Sequence, residues 1–538
     1  MVKRGMAMLL AGAMLLAGAA CSKVGSPVAS TGILRIALPI SPTQLDPLLS
    51  QNTNEGFVDG LIFSELVTLD DKGNEVPDLA QVVPTIQNGG ISKDGRTITY
   101  HLRRNVKWHD GVAFTSADVK FSWQAVLNPD NNVGSRAPYA RISSVDTPDP
   151  YTVVFHFKRL FAPAIDTIFG ESDSPYRIIP KHLLGKYKNI NQIPFNAAPV
   201  GTGPFKFKQW LRGDRIVLVA NPDYFLGPPK LKEIVVKIIT DDNTTQAELR
   251  SGDVDLGIEI NGPTYHALSG AQNLHLVITP APNWEGMLFN MTRAPLNDPA
   301  VRHAIALSLD SAKLSANNEY GTAKVATADL SPFYWAFDSS LAPTSYDPAQ
   351  AARILDADGW RMGGHGLRMK NGAPLSLQIA YGQGSQVAQN IGVEVQSSLK
   401  RLGVGIALKS YSYALLYQAA QDGGIFNGGK FDIAFYAWVS GGDPDNSSQW
   451  MCAQVPPAGN NVSRYCSQQM DAAQKLALST FDRATRKRAY ATIEALLLHD
   501  APGVFFFYPN IRYAYNPALQ GFAPNGISEG WNAYQWSI

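Results

Sequence analysis

The sequence predicts an α/β fold, because segments with the two-residue period of strands alternate with segments of helical period. The alternation is clearest between positions 375 and 439, where LSLQIAYG, VGIALKSY and FDIAFYAWV have strand patterns. Two predicted helices lie between them, QVAQNIGVEVQSSLKRLG and SYALLYQAAQDGG. Strand–helix–strand units imply right-handed crossovers and a parallel sheet. FDIAFYAW is apolar almost throughout, which is typical of a strand buried on both faces.

Cap residues and short apolar segments define the other predicted elements. Further strands are predicted at GILRIALP, DGRTITYHL, DPYTVVFHFK, RIVLVA and KEIVVKIIT. Helices are predicted after residues whose side chains accept hydrogen bonds from the free amides of a first helical turn. These starts are Thr115 or Ser116, Asp298 with Pro299, Asp347 with Pro348, and about Asp482. A short helix is also predicted to end at Gly252.

Length and composition exclude several classes of protein. A chain of 538 residues is too long for a single hydrophobic core. Its 45% of apolar residues and 17% of charged residues exclude disorder caused by low hydrophobicity. The formal net charge of +1 provides no basic surface for nucleic acid. After the first 20 positions no apolar run is long enough to span a bilayer, which excludes a polytopic membrane protein.

The N-terminus has the pattern of an export signal. Lys3 and Arg4 precede an apolar stretch at positions 6–20, which ends in small residues directly before Cys21. This pattern resembles a bacterial lipoprotein signal peptide over residues 1–21, in which Cys21 becomes the acylated first residue. An ordinary cleaved signal is the alternative. Residues 22–31 are small and polar, and they predict a flexible tether. We therefore expect a lipid anchor in the bacterial cell envelope.

Only three cysteines occur, too few for a disulfide scaffold. Cys452 and Cys466 form either one disulfide, as export allows, or two free buried thiols, and the sequence leaves both possibilities open. Their spacing does not indicate a zinc site.

The sequence contains no familiar catalytic motif. HExxH, the phosphate-binding GxxxxGK[ST], GxSxG, CxxC and a GxGxxG after a strand are all missing. Asp443 and Asp445 are the one acidic pair that suggests glycoside hydrolysis, but DPDN is also a favourable turn. We expect a protein that is not an enzyme and has no cofactor or metal, and a secreted hydrolase is the less favoured alternative.

Seven segments, read in order, resemble the family 5 extracytoplasmic solute-binding proteins. This family contains the oligopeptide- and dipeptide-binding proteins of ABC importers. The segments are LDPLLSQNTNEGFVDGLIFSELVTLDDKGNEVPDLA, DGRTITYHLRRNVKWHDGVAFTSADVKFSW, PVGTGPFKFKQWLRGDRIVLVANPDYF, ELRSGDVDLGI, LFNMTRAPLNDPAVRHAIALSLD, YDPAQAARILDADGW and FDIAFYAWVSGGDPDN. They span nearly the whole chain after the tether.

The resemblance implies a two-lobed clamp of the type II periplasmic-binding-protein class, with an extra subdomain in the first lobe. The first lobe would comprise residues 32–64, 186–285 and 510–538, and the extra subdomain residues 65–185. The second lobe would comprise residues 286–509. The implied partners are a peptide or other small solute and an ABC permease. The implied location is the periplasm or the outer face of the membrane, and we expect a monomer.

The resemblance also implies solute contacts in three places. These are a loop after LDP, the segment before LFN, and the end of the strand FDIAFYAW with its loop. A further loop follows the first strand of the second lobe. The corresponding residues are Gln51, Asn52, Thr53, Asn283, Trp284, Glu285, Gln383, Trp438, Ser440, Asp443 and Asp445. Structural roles are open alternatives for the polar loop, for both tryptophans and for both aspartates.

The sequence departs from the peptide binders at two positions. Gly441 stands where those that bind a free peptide N-terminus place an aspartate, and the loop at Gln383 lacks the arginine that binds a dipeptide carboxylate. Strict dipeptide specificity is therefore doubtful, since capture of a zwitterion needs both partners. Longer peptides, or a neutral solute such as an oligosaccharide or an opine-like compound, remain open.

Overall fold

A computed structural model of the chain describes residues 32–50, 52–171 and 176–538. The predicted signal peptide, Cys21, the tether and Gln51 lie outside the described residues. The first of two large sheets has seven strands and combines segments from the start, middle and end of the described chain. In sheet order its strands are His275–Pro280, Asn510–Tyr515, Leu256–Gly257, Ile33–Leu38, Glu233–Ile238, Arg215–Ala220 and Phe205–Leu211. Three strands predicted from the sequence, GILRIALP, RIVLVA and KEIVVKIIT, belong to it.

The second large sheet has six strands and carries the alternating region. In sheet order they are Lys324–Val325, Gly503–Tyr508, Asn283–Phe289, Ile433–Val439, Ser376–Gly382 and Gly405–Tyr411. Ser376–Gly382 runs parallel to both neighbours, as predicted. The parallel arrangement predicted for these three strands is therefore confirmed, whereas Asn283–Phe289, which lies outside that region of the sequence, is antiparallel to both of its own neighbours. That strand enters from the first sheet, so no crossover helix fixes its direction.

Three smaller sheets complete the described fold. Thr97–His101, Thr152–Phe157 and Ile142–Asp149 form an antiparallel three-stranded sheet. Val67–Leu69 pairs with Glu75–Pro77, and a further small sheet contains Arg361–Met362, Arg368–Lys370 and Ala373–Pro374. One continuous apolar core joins the three-stranded sheet to the first large sheet. The second large sheet instead packs a separate apolar cluster against each of its faces.

The predicted helix caps are confirmed. The side chains of Asp298, Asp347 and Asp482 each accept a hydrogen bond from an amide of the first turn that follows. The described helices of seven or more residues are Thr53–Ile62, Ser116–Leu127, Asp242–Ser251, Gly262–Leu268, Pro299–Leu307, Ser311–Glu319, Pro348–Ala357, Gln386–Leu402, Gln468–Leu478 and Arg483–Asp500. Shorter α-helices are Ala164–Thr167, Lys181–Leu184, Tyr413–Tyr417 and Ser447–Trp450.

The helix predicted at SYALLYQAAQDGG is wrong in its extent. It covers only Tyr413–Tyr417, since Gln418 has an extended backbone with ψ of 152°. A single 3₁₀ turn follows at Ala420–Asp422. The structure also joins Cys452 to Cys466 by a disulfide. No helix in the described ranges combines the length and the apolar character that crossing a bilayer requires.

The chain passes between the two large sheets at two adjacent places. Residues 281–282 lead from His275–Pro280 into Asn283–Phe289, and Pro509 leads from Gly503–Tyr508 into Asn510–Tyr515. These strands are hydrogen-bonded side by side in both sheets. We call this pair of crossings the two-stranded connection. The Tyr334 hydroxyl donates to the Pro282 carbonyl at 3.1 Å, which fixes one crossing against the second sheet.

Candidate functional site

The topology of the second sheet opens a crevice beside its central parallel strand. From Ser376–Gly382 the chain passes through helix Gln386–Leu402 to the neighbour Gly405–Tyr411, and then through Tyr413–Tyr417 to the other neighbour, Ile433–Val439. The two connecting helices pack into the apolar clusters of opposite faces. Ligands of α/β sheets bind where such connections part, at the carboxyl ends of the strands.

The strand pairing shows where the crevice begins. Ser376–Gly382 pairs with Ile433–Val439 only at Ile379 with Ile433 and Ala380 with Ala434. Beyond these pairs the strands diverge, and a cavity of about 340 Å³ lies between them. Its aromatic lining is Tyr413, Tyr417, Phe426, Phe435, Tyr436 and Phe506. Other lining residues include Glu285, Glu319, Gly382, Ser385, Ala388 and Ala437. We call this space the switch-point cavity.

Two tyrosines of the short helix form the outer wall of the switch-point cavity. Tyr413 and Tyr417 are four positions apart and therefore lie on one helical face. They are 57% and 47% exposed, so the cavity is open to solvent on this side. The Tyr413 ring lies directly over Gly382, where an added Cβ would be 2.6 Å from Cζ of the ring. A side chain larger than glycine at this position would displace the wall.

Glu285 is the acidic group of the cavity that has no partner. No hydrogen bond or ion pair to its carboxylate occurs among the residues that the structure describes. Glu319, by contrast, accepts a hydrogen bond from the Arg512 guanidinium in an ion pair. Burial, and secondly the carboxylate of Glu319, raise the pKa of Glu285 to about 7, whereas Arg512 lowers it. The cavity therefore contains one carboxylate that its own chain does not neutralise.

The polar loop predicted to contact solute is built around a helix start. The Asn52 side chain caps helix Thr53–Ile62 by accepting from the Glu55 amide at 3.0 Å. The Thr53 hydroxyl donates to Glu259 Oε2 at 3.2 Å. Both predicted residues thus have local roles in the first sheet's loops, and neither lines the switch-point cavity.

The three predicted residues before LFN have side chains in different surroundings. Trp284 is 1% exposed, with its ring 4.8 Å from that of Phe505 and 6.4 Å from that of Trp450. This packing favours the structural alternative for Trp284, and a solute contact at this residue stays a prediction. The Asn283 side chain is half-buried, and its Oδ1 has no hydrogen-bond partner within the described ranges. Glu285 alone of the three lines the switch-point cavity.

Trp438 and Ser440, at the end of Ile433–Val439, and Gln383 are not among the residues that line the switch-point cavity. Trp438 is half-buried, and its ring is stacked on that of Tyr436 at 6.3 Å with an interplanar angle of 7°. The Ser440 amide donates to the Pro282 carbonyl at 3.0 Å, so this residue holds the two-stranded connection. Gln383 is exposed, and its amide donates to the Tyr411 carbonyl at 2.8 Å.

The two predicted aspartates are engaged within the chain. Asp443 Oδ1 accepts a hydrogen bond from the Arg486 guanidinium at 2.6 Å. Both side chains are buried, with 4% of Asp443 and 5% of Arg486 exposed. Asp445 Oδ1 accepts from the Ser447 amide at 3.0 Å and shapes the turn. The pairing with Arg486 favours the structural alternative for Asp443, and a solute contact at either aspartate stays a prediction.

The sequence did not identify the aromatic residues of the cavity. Phe435 and Tyr436 belong to a strand that was expected to be wholly buried, and Phe426 lies in a loop with no recognisable pattern. The four-residue spacing of Tyr413 and Tyr417 was the one available signal. In the described part of the chain no group of three or more histidine, cysteine or acidic side chains is arranged to hold a metal ion.

Comparisons with known proteins agree with this geometry. Residues 75–458 match the family model described as bacterial extracellular solute-binding proteins, family 5 Middle. The oligopeptide-binding protein AppA of Bacillus subtilis is 27% identical over 505 residues, which cover 92% of this chain and 89% of that protein.

Two solved structures extend the likeness to the fold. AppA of Bacillus subtilis in complex with a nonapeptide has a TM-score of 0.75 at 26% identity, covering 94% of this chain and 98% of that one. NikZ from Campylobacter jejuni in complex with Ni(L-His) has a TM-score of 0.76 at 27% identity, covering 94% and 99%. The chain therefore belongs to family 5 of the bacterial extracellular solute-binding proteins of ABC importers, has their two-lobed α/β fold, and is not an enzyme.

Proposed function

We propose that this protein captures a peptide-like solute in the switch-point cavity and delivers it to the permease of an ABC importer. The observation that carries the proposal is an open, aromatic-lined cavity at the carboxyl ends of diverging parallel strands. Its volume of about 340 Å³ is near the lower end of the roughly 300–1,000 Å³ of small-molecule sites. It therefore accommodates one or two residues of a longer solute.

The proposed lobes are residues 32–64, 186–285 and 510–538 with the subdomain 65–185, and residues 286–509. The two-stranded connection would be their hinge. Shifting an open-to-closed ratio from 99:1 to 1:99 takes about 5.5 kcal/mol of differential binding. A micromolar affinity corresponds to about 8 kcal/mol, so a solute bound in the closed state can supply this difference. Such a cycle needs no catalytic group.

Cavity filling tests the location of the site. Ala388 lines the cavity on helix Gln386–Leu402, and Ala388→Trp would occupy it. Val393 is 53% exposed on the same helix, so Val393→Trp is the matched control. We expect Ala388→Trp alone to abolish peptide binding measured by calorimetry. Equal binding by both variants would exclude the cavity as the solute site.

Native mass spectrometry of the purified protein tests the cargo and the oligomeric state. We expect a monomer that carries one peptide-like solute and releases it with unchanged mass. A neutral oligosaccharide or an opine-like compound in its place would support the alternative cargo. A chemically altered solute would contradict a binding role.

We also propose that Cys21 carries the lipid anchor. The supporting pattern is the apolar stretch at positions 6–20 that ends in small residues before a cysteine. Cys21→Ala should then move the protein from the membrane fraction to the soluble fraction of the cell envelope. Unchanged membrane attachment would contradict the anchor.

A further inference from the structure

The switch-point cavity combines aromatic walls with an unneutralised carboxylate. Glu285 belongs to strand Asn283–Phe289, and its cross-strand neighbours are Ala437 and Phe507, neither of which can donate a side-chain hydrogen bond. Its strand neighbour Gly286 has no side chain. These strand neighbours therefore offer the carboxylate no side-chain hydrogen bond, and burying an ionised acid is costly unless a positive group approaches it.

The nearest cation of the chain is already engaged. The Arg512 guanidinium donates to the Glu319 carboxylate, and its Nε donates to the Thr322 hydroxyl at 2.7 Å. No lysine, arginine or histidine occurs among the described residues that line the cavity. Glu319 and Arg512 therefore neutralise each other, and the charge of Glu285 remains.

The aromatic lining favours the same type of ligand group. Six aromatic side chains line the cavity, three of them tyrosines. The negative faces of aromatic rings attract ammonium and guanidinium groups, and the attraction increases when the cation is desolvated. An anionic group would meet the Glu285 carboxylate there and, among the described lining residues, no lysine, arginine or histidine side chain.

We propose that the switch-point cavity binds an organic cation, namely the ammonium or guanidinium group of the solute, with Glu285 as its counter-ion. This inference rests on the proposed function and specifies the class of solute. The shared chemistry fits a lysine or arginine side chain and equally a free peptide N-terminus. The experiment below separates these sources.

Calorimetry with matched probes tests the proposal. The probes are the peptide Ala-Arg-Ala, its neutral citrulline analogue, the N-acetylated arginine peptide, and the non-peptide pair butylguanidinium and butylurea. We expect ~10-fold or stronger binding of each guanidinium probe than of its neutral partner, as for a partly buried charge pair. Stronger binding of the arginine peptide than of the citrulline peptide assigns the cation to the side chain. Equal binding of these two peptides, with ~10-fold weaker binding of the N-acetylated arginine peptide, assigns the cation to the N-terminal ammonium.

Two variants identify the counter-ion. Glu285→Gln keeps the side-chain shape and should reduce the preference for arginine over citrulline to less than ~3-fold. Asp422→Asn removes one charge from the exposed turn that lies between Tyr417 and Phe426 in the sequence, and it should leave the preference intact, since solvent screens that charge. A preference that survives in Glu285→Gln would overturn the assignment of Glu285.

Proton release provides a second measurement. A bound cation favours ionised Glu285, so wild-type protein near neutral pH should release protons on binding the arginine peptide. The charged groups that act on the Glu285 carboxylate are Glu319 and Arg512, and the other titratable side chains that line the cavity are Tyr413, Tyr417 and Tyr436. Glu285→Gln should abolish the release. Release that is unchanged in this variant would place the titrating group elsewhere.

The outcomes distinguish the two proposals. Equal binding of the arginine peptide, the citrulline peptide and the N-acetylated arginine peptide would overturn the cation site while peptide capture stands. Binding of butylguanidinium but of no peptide would support the cation site and contradict peptide cargo. Binding of none of the cationic probes would overturn the cation site.

Discussion

Two carboxylates in the region of the second sheet, Asp443 and Glu285, differ in whether the chain itself provides a positive partner. Asp443 is bonded to Arg486 at 2.6 Å, and almost no surface of either side chain is exposed. Glu285 faces an open cavity, and the nearby Arg512 is bonded to Glu319. A carboxylate neutralised by its own chain stabilises the fold, whereas one left facing a cavity is available to a ligand. The sequence had placed both residues in one class.

Breaking the buried pair should have the largest effect. Arg486→Met keeps most of the side-chain volume but leaves Asp443 buried without a cation, close to the buried carboxylate of Asp166. We expect a loss of about 3–5 kcal/mol in the free energy of unfolding, measured with urea. The control is Arg483→Met on the same helix, since the Arg483–Glu75 pair is 46% and 24% exposed.

The control variant should lose less than about 1 kcal/mol, because solvent screens an exposed pair. Equal losses in the two variants would show that the Asp443–Arg486 pair contributes no more than a surface pair. Asp443 could then no longer be contrasted with Glu285 as a carboxylate that stabilises the fold.

Moving the cavity wall should have an intermediate effect that is confined to binding. Gly382→Ala places a Cβ 2.6 Å from Cζ of Tyr413, whose ring is exposed and can move outward. We expect ~10-fold weaker solute binding with little change in thermal stability, because the displaced Tyr413 ring would no longer contact the solute. Gly364→Ala is the control, since its Cβ would meet nothing within 4 Å. A large fall in stability for Gly382→Ala would instead indicate a structural role.

Removing the charge of Glu285 should have the smallest effect and the opposite sign. Folding raises the pKa of this group from 4.5 to about 7, so its ionisation lowers the stability of the folded protein as pH rises through that interval. Glu285→Gln should therefore be more stable than wild type by about 1 kcal/mol near pH 8.5, and by nothing near pH 4.5. Urea unfolding at both values measures this, and a pH-independent difference would show that Glu285 is neutralised by a partner.

Local patterns of the sequence predicted most of the secondary structure. Asp298, Asp347 and Asp482 cap the helices that they were expected to cap, since a cap depends on neighbours within one turn. Helix 413–417 was overestimated, because its end depends on a residue beyond one helical turn: the Asn427 side chain donates to the carbonyls of Tyr417 and Gln418.

The site was less predictable because its contacts join distant positions. Arg486 lies 43 positions after Asp443, and no spacing rule connects them. Trp284 and Glu285 are consecutive, yet alternation along a strand sends one into the core and the other into the cavity. The divergence of two strands after Ala380 depends on the whole sheet, so the sequence could place the residues near the crevice but could not show which of them line it.

The two-stranded connection has a mechanical consequence. A ribbon of two hydrogen-bonded strands bends easily across its thin direction, but splaying within its plane would break the ladder between His275–Pro280 and Asn510–Tyr515. Displacement of one sheet relative to the other is therefore restricted to rotation about essentially one axis. In the proposed function, the angle between the two large sheets would therefore be the one quantity that differs between the empty and the occupied protein, whatever the shape of the solute.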